Sequence, residues 1–380
     1  MKKTLSRTTI GIAVLFTIVP MLLANPQIAL STTHPSPILQ KIQDPLDMLI
    51  FVSPQYASDA EIATVISSYV SAIKKDLDWN TKTISLKKEN NDFRKIDQII
   101  ETYYEIYKIK ACMMVGEDID TTLGGNYGYM VKPSTIPWST TGGEDNYEVS
   151  KQGIVCKPYK MDICISLLYP THDLNYQTKK SQIISSFEKF STQRNITGSK
   201  DVMVFESSDI NTYSKDLYNH FEAYGNVYYC EDPTSEEIGL SLSGKYAMYY
   251  VHGHSNPSGT MLNADGNVWF SADKVDELDT PFFGADGCYV SGWWSDQSDA
   301  DSLNPSIDWF WYGSTIFTSK HIQAMVLGLL SQNGLSYPVS FIENALPELL
   351  EGKTLAESMI GDVYLSGDVV FGDPTFHYTI

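Results

Sequence analysis

The sequence predicts an α/β protein with a largely parallel sheet. Three observations carry this. Short apolar runs alternate with amphipathic stretches along most of the chain, the pattern of strand–helix–strand units. The runs are near-continuous, as in "DMLIFVS" and "MDICISLLYP", which suits strands covered on both faces. Several close on Gly, Asp or His, where open α/β sheets carry their reactive groups.

Taken in order, "DMLIFVS" (47–53) reads as a buried strand. Ser58 and Glu61 stand three apart, as in a capping box. Ile62, Val65, Ile66, Tyr69, Val70 and Ile73 follow at helical spacing. "TKTISLK" is the second strand, and Phe93, Ile96, Ile100, Tyr103 and Ile106 mark a second amphipathic helix leading into "IKACMMVGED". Residues 118–160, rich in Gly, Thr, Pro and Tyr, read as a long irregular excursion of the kind that carries binding loops. The alternation resumes with the strand "MDICISLLYP" and a helix over 175–193, with Ile183, Ile184, Phe187 and Phe190 on its apolar side. Next come the strand "DVMVFESS", a helix over 211–223, the strand "NVYYCED" and a short helix over 234–242. "YAMYYV" and "PFFGADGC" are the following strands, with a short helix near 271–278 in the crossover between them. "WFWYGSTIFTS" reads as a further strand. Helices are expected over 319–333, 338–350 and 354–362, ahead of the closing "VVFGDPTFHYTI".

Residues 1–30 read as a signal peptide or N-terminal anchor: Lys2, Lys3 and Arg7 precede an apolar run from Ile10 to Ala24. Residues 31–45 read as a linker. The remainder divides into an N-terminal α/β subdomain with its long loop (46–160) and a C-terminal catalytic subdomain (161–380). This places the bulk of the chain outside the cytoplasm, secreted or at the cell surface. A net charge of −19 argues against nucleic acid or an anionic membrane surface as the main partner. The five cysteines are odd in number, so at least one is unpaired within the chain. Cys156 and Cys164 flank "KPYKMDI", a spacing that fits a hairpin with a cross-strand disulfide.

The stretch "YAMYYVHGHSNPSGT" (246–260) ends an apolar strand in His252-Gly253-His254-Ser255, and Cys288 follows His254 by 34 residues at the end of another strand. If these strands are adjacent and parallel, histidine and cysteine emerge together at one sheet edge. An imidazole there can take the thiol proton or stabilise the thiolate, and nearby backbone N–H groups can hold an oxyanion. Gly287 lets the chain bend just before Cys288. Trp293 and Trp294 are placed either to wall a substrate cleft or to pack the core. The competing reading is a metal site: His-x-His on a strand puts both rings on one face, with Asp286 or Asp265 as a further ligand.

A hydrophobic block before His-Gly and a second before the cysteine resemble the caspase, legumain and gingipain group of cysteine peptidases, and the chain looks most like the gingipain type. "KACMMVGEDID" resembles that family's strand ending in Gly-Asp, "YVHGHSNPSGT" its histidine segment, "FFGADGCYVSG" its cysteine strand, and "VVFGDPTF" its closing Gly-Asp-Pro. The resemblance implies a caspase-like, gingipain-like fold of mostly parallel sheets flanked by helices in two α/β subdomains. It implies an endopeptidase in which Cys288 attacks and a histidine protonates the leaving amine, acting on protein or peptide substrates. No cofactor is required, and structural calcium is compatible. Matching Pro257 and Gly259 to the family's segment makes His254 the base, the assignment that segment spacing favours; the simpler His-Gly rule makes it His252 as the alternative. The oxyanion would be held by backbone N–H groups around Ser255 and Gly287–Cys288. Ser255 stands where the family has glycine, which leaves a second function class open: a catalytically inactive peptide- or surface-binding relative. A third is a metal-dependent hydrolase using His252 and His254.

Overall fold

The computed structural model describes residues 45–119, most of 161–208 and 225–287, Gly313, 315–327, 345–360 and 369–379, and the backbone of 130–131, 147–150, 153–156 and 293–294. The segment read as a signal peptide or anchor, nearly all of the linker and the expected helix over 211–223 lie outside these residues.

Asp44–Ile380 forms one compact unit around a ten-stranded sheet. Its strands are β1 (Met48–Val52), β2 (Thr81–Ser85), β3 (Ala111–Val115), β4 (Cys164–Leu168), β5 (Val202–Glu206), β6 (Val227–Glu231), β7 (Met248–His252), β11 (Phe282–Asp286), β12 (Ala324–Leu327) and β13 (Val369–Gly372). The small strands β8 (His254–Asn256), β9 (Thr260–Leu262) and β10 (Val268–Ser271) form a separate antiparallel sheet. The main order is β2-β1-β3-β4-β13-β12-β11-β7-β5-β6. All neighbours are parallel within β2-β1-β3-β4 and within β12-β11-β7-β5-β6, and β13 joins the two blocks, antiparallel to β12. The fold is therefore the mixed, mostly parallel α/β sheet that the sequence predicts.

Burial explains the order. β1, β3, β4, β5, β7, β11, β12 and β13 are buried at every position, and their apolar runs fit strands covered on both faces. The edge strands β2 and β6 each bury at most one residue and carry Lys82 and Glu231 outward, which discourages pairing with another chain. β4 belongs with β3, so the strand just past residue 160 sits in the first block, and β13 returns from the chain's end to lie beside it.

The helix α1 (Ala60–Leu77) starts one residue later than the capping-box pattern implied: Asp59, not Ser58, is the cap, its Oδ1 accepting from the N–H groups of Glu61 and Ile62 at 2.9 and 3.2 Å. Asp92 caps α2 (Phe93–Tyr107) in the same way. α1 packs along α3 (Tyr176–Thr192), with the Tyr69 ring 5.2 Å from that of Phe187. Where α3 ends, Arg194 is buried between two carboxylates: Nε meets Asp76 Oδ2 at 2.6 Å and Nη1 meets Asp373 Oδ2 at 3.2 Å. Asp373 also accepts from Tyr69 and from the backbone and hydroxyl of Thr375, and Arg194 Nη2 donates to the Thr375 carbonyl at 3.3 Å. Gly372 precedes it at φ +88, where a side chain would collide with the Gln323 carbonyl. The closing Gly-Asp-Pro is thus a structural fastener: glycine makes the turn, and aspartate ties β13 to α1 and α3.

Several expectations are corrected. Residues 324–327, expected in a helix over 319–333, are strand β12; an apolar run such as "AMVL" has no period that separates a buried strand from a helix. The described end of the expected strand 309–319 is a 3-10 turn, Thr315–Phe317. The two later helices are borne out where described, at Leu346–Leu350 within 338–350 and Leu355–Met359 within 354–362. The β7–β11 crossover holds β8, β9, β10 and a 3-10 turn, Ala272–Glu277. Cys164 is a free thiol inside β4, so the Cys156–Cys164 disulfide does not form. Gly153–Cys156 pairs instead with Tyr147–Ser150 in its own hairpin. Burial pushes the Cys112 thiol far up and that of its β4 neighbour Cys164 up to about 12.

Candidate active site

β7 and β11 are adjacent, parallel and in register, with His252 opposite Asp286; β5 lies on the other side of β7 with Glu206 opposite His252. Residues level with one another in parallel strands project from the same face. Three strand ends therefore present a carboxylate, an imidazole and a carboxylate in one row. His252 Nδ1 is 2.8 Å from Glu206 Oε1, and Nε2 is 3.3 Å from Asp286 Oδ2. The Tyr229 hydroxyl donates to Glu206 Oε2 at 2.9 Å from β6. The row is buried: Glu206 is 3%, His252 9% and Asp286 1% exposed.

Beyond the row the strands stay together. Gly253 N–H donates to the Asp286 carbonyl at 3.1 Å, and a side chain at Gly287 would overlap the Gly253 carbonyl. A side chain at Gly253 would press on the Trp269 ring at 3.0 Å. These two glycines immediately precede His254 and Cys288. Close backbone approach is what glycine permits, and here it brings the histidine turn against the segment leading to the cysteine. Cys288 itself lies outside the described residues.

His254 is exposed and opens β8, opposite Leu262 of β9. Ser255 is buried, its Cβ where a side chain at Gly287 would press on it at 3.1 Å and its Oγ without a hydrogen-bond partner. Trp293–Trp294 forms a two-residue antiparallel bridge with Met130–Val131, which joins the long excursion to the segment after Cys288. The metal reading gains nothing: both His252 nitrogens face carboxylates, and among the described residues no group of three His, Cys, Asp or Glu side chains can hold an ion.

Sequence reasoning missed Glu206 as a site residue and named Asp286 only as a weak ligand candidate. Each is the acid that closes an apolar strand, "VMVFE" and "FFGAD", and that shared ending was the available signal.

No family model matches this chain, and no curated protein sequence matches it. Solved structures do. The Arg-specific cysteine proteinase gingipain R superposes with a TM-score of 0.57 at 15% identity, over 88% of this chain and 79% of that one. The complex of the pro- and mature domains of RgpB from Porphyromonas gingivalis matches with a TM-score of 0.57 at 14% identity, over 87% and 79%. A third structure, described as a protease, matches with a TM-score of 0.54 at 12% identity, over 88% and 79%. The chain has a gingipain-like, cysteine-peptidase-like fold.

Proposed function

We propose that the chain is a secreted or surface-anchored cysteine endopeptidase in which Cys288 is the nucleophile and His252 the general base and acid. The observation that carries this reading is the Glu206 carboxylate 2.8 Å from His252 Nδ1, on the ring beside the strand that leads to Cys288. A base oriented by a third group is what nucleophilic catalysis needs, because the bond at Nδ1 fixes the tautomer and leaves Nε2, 3.3 Å from Asp286 Oδ2, as the nitrogen that exchanges the proton. His254, which segment spacing favoured, is exposed where it opens β8, and it is assigned to lining the site.

The thiol proton passes from Cys288 Sγ to His252 Nε2. The thiolate attacks the scissile carbonyl, the S–C bond forms, and the carbonyl electron pair moves to oxygen, held by backbone N–H groups near Ser255 and Cys288. Collapse breaks the C–N bond as His252 returns its proton to the leaving amine. Water, deprotonated by the same ring, then releases the acyl group. No cofactor enters the reaction.

The test is cleavage of a mixed fluorogenic peptide library by the protein and by Cys288→Ala, His252→Ala and His254→Ala variants. Cys288→Ala abolishes cleavage, and His252→Ala lowers it by about 10²–10⁴-fold, the usual worth of a positioned base. His254→Ala costs less than about tenfold. Cleavage surviving in Cys288→Ala rejects the mechanism, and absence of cleavage by the unaltered protein favours the binding-only relative.

A further inference from the structure

We propose that the cavity at the foot of β7, β11 and β12 binds a small amino-acid zwitterion, its ammonium on Asp279, its carboxylate on Lys245 and His321, and its side chain against an apolar wall. The site lies away from the catalytic edge and does not depend on the peptidase reading.

Sheet register assembles it. Lys245 and Asp279 form a parallel bridge ahead of the β7–β11 ladder, with the same offset that pairs His252 and Asp286 at its other end. His321 stands as far before Ala324 as Asp279 does before Phe282, and Ala324 and Phe282 are level in β12 and β11. Three strand feet therefore carry a base, an acid and a base side by side, roughly 23 Å along the strands from the Glu206–His252–Asp286 row. His321 Nδ1 is 3.4 Å from Asp279 Oδ1, and Lys245 Nζ is 3.9 Å from Oδ2. Both contacts are longer than the about 2.7–2.9 Å of a tight charged hydrogen bond, so the acid saturates neither base. All three side chains are open to solvent, and a ligand reaches them without disturbing the core.

The row rims a cavity of about 360 Å³, within the range of small-molecule sites. Ile196, Tyr246, Pro281 and Tyr378 line its apolar side. The polar groups around that wall are largely spent within the protein. The Tyr378 hydroxyl donates to the Ala247 carbonyl, and the Thr280 hydroxyl to the carbonyls of Tyr246 and Ala247 at 3.1 and 3.3 Å. Gln193 Nε2 donates to the Lys320 carbonyl at 3.2 Å. What the cavity offers a ligand is one carboxylate with a base on each side. A simple anion is repelled by Asp279, and a simple cation by Lys245. An amino acid carries both charges on one carbon and answers both at once.

The experiment is a calorimetric titration of the full chain with L-phenylalanine, L-leucine and L-tryptophan. The N-acetyl form of the best binder, which lacks the ammonium, and its amide, which lacks the carboxylate, are titrated beside it. At least one amino acid should bind at a single site, and each blocked form should bind about tenfold more weakly, the worth of one charged hydrogen bond. Asp279→Asn should weaken the amino acid by a similar factor and leave the N-acetyl form no weaker. Lys245→Ala should weaken the amino acid and leave the amide no weaker; this side chain is 83% exposed, so the variant keeps its fold. Absence of binding by all three amino acids at millimolar concentration overturns the proposal. So does a blocked form that binds as tightly as its parent, or an affinity that neither substitution changes, which would place the ligand elsewhere.

Discussion

Among the described residues, one basic side chain is twice buried between two carboxylates. At the end of α3 it is Arg194, between Asp76 and Asp373; at the end of β7 it is His252, between Glu206 and Asp286. The geometries are alike, but the bases are not. A guanidinium stays charged at any working pH and spreads five donors in a fixed fork, so its cluster can only hold. It also reaches Thr375 and ties together elements distant in sequence. An imidazole can lose its proton near neutral pH, so its cluster can hold and also transfer. The chain spends the permanent cation on architecture and the titrating one beside the cysteine strand.

The largest effect should come from the arginine cluster. Arg194→Ala leaves Asp373, fully buried, without its cation, and should cost about 3–5 kcal/mol in chemical denaturation. If the loss is under about 1 kcal/mol, the two clusters are not distinguished by structural role. Glu206→Gln is the counterpart. It should fold, yet lose about 10²-fold in peptide cleavage, because the amide cannot orient or stabilise the charged ring. A variant that loses stability and activity in equal measure would make the histidine cluster merely structural.

Asp97 sharpens the contrast as a carboxylate with no cation beside it among the described residues. Burial, and then Glu101 one turn along α2, push it up to about 7, and its Oδ1 is buried without a hydrogen-bond partner. The folded chain keeps a proton there that the unfolded chain releases above its ordinary value of 3.8. Stability from this group therefore falls as pH rises from about 4 to about 7 and stays low above that. Asp97→Asn should stabilise by about 1 kcal/mol at pH 8 and have little effect at pH 4, the modest size reflecting partial contact with water. Equal effects at both pH values in thermal melts would refute it. The smallest change is Tyr229→Phe, which removes one bond to Glu206 and should lower cleavage only a few-fold, with about 1 kcal/mol of stability.

Much of this was legible in the sequence. The β1, β3, β4, β5, β7 and β11 runs announced themselves as continuous apolar segments, and the pairing of the histidine and cysteine strands followed from α/β topology. β12 was hidden because four apolar residues carry no usable period. β8, β9 and β10 were hidden because strands of three or four residues give even less. The choice between His252 and His254 was not readable locally. Its deciding partners, Glu206 and Asp286, come from strands 46 residues before and 34 residues after His252 and meet it only through sheet register.

The two thiols sealed in β3 and β4 give the molecule a clock of its own. Cys112 and Cys164 are fully buried, and burial keeps both protonated, so a water-borne alkylating reagent meets them only when the sheet parts at that point. The rate at which these two positions are captured in the native protein therefore times the opening of the central strands, strand by strand and without an attached label.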